Sequence, residues 1–204
     1  MKAELDVIER LNNIESVLEK NILRKSDKLL EYYVFDYPPE SELPVREHIA
    51  GLAKKYGSTN SSFNIKLFNL YEMIIQILKD EDFFEQCNDL ESDNDYTYLA
   101  EEIANAIDVL NKNGPIFSKI KSEVSKSSIV FITGVGSAYP IIRVNSVLRI
   151  LKSGFDEIGL GDIPVVLFYP GKYLGEDSLL FGTIGDNFYY LVERFPCDCG
   201  QKIE

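Results

Sequence analysis

The chain has 204 residues, 45% of them hydrophobic and 26% charged, a composition that can bury a core within one ordinary globular domain. Its 33 acidic residues outnumber 21 basic ones and leave a net charge of −12, so its long-range field repels polyanions and disfavours sequence-independent DNA binding. No stretch approaches the roughly 20 apolar residues that span a bilayer, the start Met1-Lys-Ala-Glu-Leu-Asp6 lacks a signal-peptide core, and Cys87, Cys197 and Cys199 do not form a secreted disulfide framework, so reduced thiols in the cytoplasm are expected.

Residues 3–23 predict an amphipathic helix, because Val7, Leu11, Ile14 and Leu18 recur at helical spacing and form one apolar seam. The seam packs on its own domain or pairs with another subunit, which leaves a homodimer open. Residues 1–25 are assigned to this helix, 26–195 to a single α/β domain with a helical insertion at about 80–127, and 196–204 to a tail. After Leu29-Leu-Glu-Tyr-Tyr-Val-Phe35 and the Pro38-Pro39 break, Pro44 suits a first helical turn, with Val45, Ile49, Leu52 and Ala53 on one face and an end at Gly57.

Phe63–Phe68 alternates in polarity as a strand does, and Asn69 with Glu72 resembles a capping box ahead of Met73, Ile74, Ile77 and Leu78. In the insertion, Leu99, Ile103, Ile107 and Leu110 share a face. The acidic stretch Glu91–Asp95 reads as an exposed connection, and a shorter helix carries Ile116, Ile120 and Val124.

Ser128–Thr133 is an apolar, β-branched run that breaks into Gly134-Val-Gly136 and then a helix with Ile141, Val144, Leu148 and Leu151 inward; Pro164–Tyr169 gives a fourth buried strand. Turn residues at Ile184–Asn187 suit a C-terminal β-hairpin between Ser178–Thr183 and Phe188–Glu193. The expected fold is α/β, a mostly parallel sheet flanked by helices in a degenerate P-loop or Rossmann-like three-layer arrangement.

In such sheets ligands and partners are held beyond the carboxyl ends of the strands. Gly134-Val-Gly136 lacks the lysine of a P-loop, and Tyr139 stands where a dinucleotide fingerprint needs its third glycine, so a tight turn or protein-contact loop is the stronger reading. Arg46, Arg143 and Lys172 each follow a strand and could meet at one rim as an anion site; contacts with a partner or salt bridges with Asp36, Glu40 or Glu42 are the alternatives. Asp36 could hold a metal or simply accept in a turn, and His48 has no nucleophile near it in sequence. Cys197 and Cys199 supply only two of the four ligands that structural zinc takes, and no catalytic triad or carboxylate pair can be assigned.

Three blocks taken together, Phe35-Asp-Tyr-Pro-Pro-Glu-Ser-Glu-Leu-Pro-Val-Arg46, Thr133-Gly-Val-Gly-Ser-Ala-Tyr-Pro-Ile-Ile-Arg143 and Val166-Leu-Phe-Tyr-Pro-Gly-Lys-Tyr173, resemble the BrxB family of the BREX (bacteriophage exclusion) defence systems in order and spacing, over about residues 5–194. The resemblance implies a non-catalytic accessory or adaptor subunit without a cofactor. It would support phage exclusion and host DNA methylation through protein contacts beside a large ATPase, a methyltransferase and the alkaline-phosphatase-like PglZ, its expected direct partner. Asp36, Tyr37, Arg46, Thr133, Gly134, Gly136, Tyr139, Pro140, Arg143, Pro170, Gly171, Lys172 and Tyr173 are the matching positions and the expected partner or anion contacts. The alternative is a degenerate nucleotide-fold protein that binds nucleotide or nucleic acid at the carboxyl-end rim.

Overall fold

Every residue of β1 (Tyr32–Tyr37) is buried, as expected of a parallel strand covered on both faces. The computed structural model describes residues 2–20, 32–57, 62–87, 96–108, 111–186, 188 and 192–196. The expectations for residues 21–23, Leu29–Glu31, Glu91–Asp95, Leu110, Asn187, Tyr189–Leu191, Cys197 and Cys199 lie outside the described residues.

The remaining main strands are β2 (Asn64–Asn69), β3 (Ser128–Thr133), β4 (Val165–Lys172) and β7 (Glu193–Arg194), in the order β2-β3-β4-β1-β7, all parallel. Two short strands, β5 (Leu179–Leu180) and β6 (Ile184–Gly185), add an antiparallel hairpin to the end of β4. The helices are α1 (Lys2–Glu19), α2 (Glu42–Tyr56), α3 (Leu70–Asp80), α4 (Tyr96–Ala106), α5 (Pro115–Glu123), the single turn α6 (Val135–Ala138) and α7 (Val144–Glu157).

The chain leaves β1, passes β4 and β3 through α2, and returns β2 to β3 to β4 through α3, α4, α5 and α7. Right-handed crossovers place connections that run in opposite directions along a sheet on opposite faces. The two cores have that division. Tyr33, Phe35, Ile129, Phe131, Val166 and Phe168 pack with α1 and α2, while Val34, Val130, Ile132, Val165, Leu167 and Tyr169 pack with α3, α5 and α7. The predicted seam of α1 closes the first core, with Val7, Leu11, Ile14 and Leu18 all buried, and each such burial is worth roughly 1.5–3 kcal/mol.

Asn69 caps α3 as its spacing predicts: its Oδ1 accepts from the backbone N–H groups of Tyr71 (3.1 Å) and Glu72 (3.4 Å), and its Nδ2 donates to Glu72 Oε1 at 3.0 Å. Two expectations shift. The helix after β3 divides into α6 and α7, with Pro140 and Ile141 between them, because Tyr139 is extended (φ −72°, ψ 138°) and stops α6. The hairpin turns at Phe181–Thr183 and not at Ile184–Asn187; Ile184 and Gly185 are themselves in a strand, and β7 pairs in parallel with β1.

Candidate functional site

The chain departs from β1 toward α2 on one face and from β3 toward α6 and α7 on the other. Above β4, between these departures, lies the crevice where sheets of this kind hold ligands. Here it is floored and flanked by Pro39, Glu42, Gly136, Ser137, Pro170 and Phe181. Phe181 occupies it from the β5–β6 turn: its N–H donates to the Pro170 carbonyl at 2.8 Å, and its ring lies so close to Gly136 that a Cβ there would meet it at 2.7 Å.

Both glycines of the loop after β3 therefore make room for neighbours within the chain. Gly134 has a φ of +73°, and a Cβ on it would come within 2.0 Å of the Asn69 cap oxygen. Phe181 also has a positive φ, +54°, followed by Gly182 at +75°. A bulky residue in the left-handed region is strained, and the turn nevertheless holds this ring 40% exposed at the rim. Exposed Tyr71, Leu43 and Leu174 follow β2, β1 and β4, so three of the five parallel strands that end at this rim are followed by a large apolar side chain open to solvent, whereas Phe195 after β7 is buried.

Beside the crevice an open cleft of about 360 Å³ lies between α1 and the ends of β1 and β4. Asp36, only 7% exposed, organises it. Its Oδ1 accepts from Arg10 Nη2 at 3.0 Å, its backbone oxygen from Arg10 Nη1 at 2.7 Å, and its Oδ2 from Arg194 Nη2 at 2.8 Å and the Tyr173 N–H at 3.1 Å. Arg10 also donates to the Phe195 carbonyl and lies over the Phe35 ring, 4.4 Å from its centre. One carboxylate thus joins α1, β1, β7 and the segment after β4.

The other predicted positions divide among separate structures. Tyr37 donates its hydroxyl to Glu42 Oε2 at 2.6 Å, and Arg46 donates to Glu42 Oε1 at 3.2 Å on its own helix. Thr133 Oγ1 donates to the Phe68 carbonyl at 3.4 Å. Arg143 lies over the half-buried Tyr139 ring, 5.6 Å from its centre, and with Pro140 lines a different depression beside Asn105 and Asp108. Gly171 pairs with Leu180, Lys172 stands exposed in the Asp36 cleft, and Tyr173 donates its hydroxyl to the Val192 carbonyl at 2.8 Å. No contact joins Arg46, Arg143 and Lys172 among the described residues, which lie on α2, before α7 and at the end of β4.

The phenols near the rim are held in their protonated form. Burial, with Glu42 beside it, pushes the Tyr37 hydroxyl far above the ordinary phenol range; burial does the same for Tyr169 and raises Tyr173. The Cys87 thiol is likewise pushed up by burial. His48 is half-buried, and its Nε2 has no hydrogen-bond partner among the described residues. Among those residues no group of three or more His, Cys, Asp or Glu is placed to hold a metal, and no helix is long and apolar enough to cross a membrane.

A family model described as BREX protein BrxB matches residues 66–195. The chain belongs to the BrxB family. It is 32% identical over 185 residues to the BREX protein BrxB of Bacillus cereus (strain H3081.97), covering 89% of this chain and 93% of that protein. To the BREX protein BrxB of Escherichia coli O9:H4 (strain HS) it is 26% identical over 194 residues, covering 94% and 92%. No solved structure matches the chain. The BrxB-like blocks read from the sequence contain Asp36 and Tyr173, whose N–H it accepts, but not the two arginines that hold it. Arg10 lies on α1, and Arg194 lies beyond the third block. Phe181 was also missed, since an aromatic residue gives no sequence signal for a left-handed turn.

Proposed function

We propose that the chain is a cytoplasmic, non-catalytic adaptor of a BREX phage-defence system, working through protein contacts at the carboxyl-end rim of its sheet. The observation that carries this reading is Phe181, a strained and exposed aromatic residue that fills the switch-point crevice on a rim where exposed Leu43, Tyr71 and Leu174 also follow strands. Backbone strain persists where the surrounding structure enforces it, and clusters at functional sites; aromatic side chains in defined pockets are the usual anchors of interfaces.

The loop glycines support an adaptor over a nucleotide binder, because Asn69 and Phe181 fill the space a phosphate would need against their backbone. The phenols at the rim favour the same reading, since burial moves them away from the ionised form a nucleophile requires. The direct partner in this proposal is the PglZ component, and the contact supports both phage exclusion and host methylation. A specific interface of this kind buries about 1,000 Å² or more.

Co-expression of the chain with PglZ and purification through a tag on either protein at near-physiological salt tests the proposal. A stable complex, weakened by Tyr173→Ala or Arg143→Ala, supports it. Absence of a complex with the unaltered chain removes PglZ as the direct partner, and turnover of a nucleotide or phosphoester by the pure chain contradicts the non-catalytic role.

A further inference from the structure

The Asp36 cleft carries a charge opposite to that of the molecule. Arg10, Lys172 and Arg194 line it against Asp6 and Asp36, three cations to two acids, so it is locally +1 on a chain of net charge −12. The cations are engaged to different degrees. Arg10 is spent on Asp36 and two backbone carbonyls. Arg194 uses one terminal nitrogen, which donates to Asp36 Oδ2 and to the Tyr173 carbonyl; its Nε and Nη1 have no acceptor among the described residues. Lys172 has no acidic partner there either, and both side chains are exposed.

We infer that this cleft is a receptor for a single carboxylate on a partner segment, held between the Lys172 ammonium and the outward edge of the Arg194 guanidinium. Asp36 Oδ2 and the Tyr173 carbonyl both accept from Nη2 and so orient the guanidinium, and its remaining Nε and Nη1 donors suit the oxygens of a carboxylate. The net charge selects the ligand. One unit of positive charge is balanced by one carboxylate, whereas a nucleotide's phosphates would bring several negative charges beside Asp6 and Asp36.

Pro39 lines both this cleft and the Phe181 crevice, so the two recesses adjoin. A segment with its carboxylate in the first lays a neighbouring apolar side chain against Phe181 in the second. This inference rests on the adaptor reading and gives the partner segment its chemistry: an apolar residue next to a carboxylate, from a Glu or Asp side chain or from a chain terminus.

The test is a titration of the isotope-labelled full chain, following the backbone amides of Gly171 and Gly182 by NMR. The probes are N-acetyl-Phe-Glu-amide, N-acetyl-Phe-Ala with a free terminal carboxylate, N-acetyl-Phe-Gln-amide and inorganic phosphate. At least one of the two carboxylate probes is expected to shift both amides saturably, and which one does so identifies a side-chain or a terminal carboxylate. Affinity should fall about tenfold or more for the Gln probe and for Lys172→Glu, the loss expected for a charge-assisted hydrogen bond. Lys172 is exposed, so that variant keeps the fold, and the Gln arm needs no variant.

No saturable shift with either carboxylate, equal binding of the Gln probe, or tighter binding of phosphate overturns the inference. None of these outcomes bears on capture of whole PglZ, so failure here stays distinct from failure of the adaptor reading.

Discussion

Arg194 Nη2 lies 2.8 Å from Asp36 Oδ2 although the two residues are 158 positions apart, and Arg10 grips the other carboxylate oxygen from α1. Both chain-end elements are thereby fastened to the carboxyl end of β1, beside the rim proposed to meet a partner. Asp36→Ala should destabilise the chain by about 3 kcal/mol, because it leaves the partly buried Arg10 guanidinium without its counter-charge and the Tyr173 N–H without its acceptor. Arg194→Met should cost about 1 kcal/mol or less, since its side chain is 52% exposed and solvent screens the pair. Urea unfolding of the single and double variants checks the order; equal losses for the two would show that Asp36 does not organise the cleft.

A second carboxylate sets a pH dependence. Asp186 is 5% exposed, and burial raises its pKa above the ordinary value, partly offset by the Tyr169 hydroxyl and the Arg143 charge. The Tyr169 hydroxyl lies beside it without a hydrogen bond of good geometry among the described residues. The folded chain therefore binds the Asp186 proton more tightly than the unfolded chain. Its contribution to stability is fully present below the ordinary carboxylate range and is lost as pH rises through the raised pKa. Asp186→Asn should raise the Tm at about pH 8, with the gain shrinking to nothing near about pH 3. A gain that is independent of pH would contradict this account.

The glycine loop makes a sharper structural prediction. Gly134→Ala forces a side chain into both the left-handed region and the Asn69 cap oxygen, so a loss of about 1–3 kcal/mol is expected. Asn69→Ala should lose about 1 kcal/mol, the usual worth of an N-cap. The pair is coupled, because removing the Asn69 side chain relieves part of the Gly134→Ala clash. Thermal denaturation of the double variant should therefore show less than the sum of the two losses.

How much of this was legible in the sequence follows from which signals are local. The α1 seam, the doubly buried β3 and β4 and the Asn69 cap all show in spacings of a few residues, and the structure has them where those spacings put them. The Asp36 cluster does not, because its arginines sit 26 and 158 positions away and no periodicity links them. Gly185 and Asn187 favour a turn at Ile184–Asn187, whereas the chain turns at Phe181, where pairing with Pro170 and contact with Gly136 outweigh residue preference. The converging cations of the expected anion rim assumed that following a strand fixes where a side chain reaches. Arg46 instead pairs within α2 with Glu42, and Arg143 lies over Tyr139.

The most direct test of the central claim is the affinity of PglZ for the chain and for its Phe181→Asn variant, measured by calorimetry beside the Tm of each. Asn tolerates a positive φ, so the turn keeps its geometry while the ring is lost, and the Tm should stay within about 2 °C. Loss of an interface anchor is worth about 2 kcal/mol or more, so binding should weaken about 30-fold. Unchanged affinity in a variant of unchanged Tm would contradict the account, because the strained ring at the rim would then have no part in holding the partner.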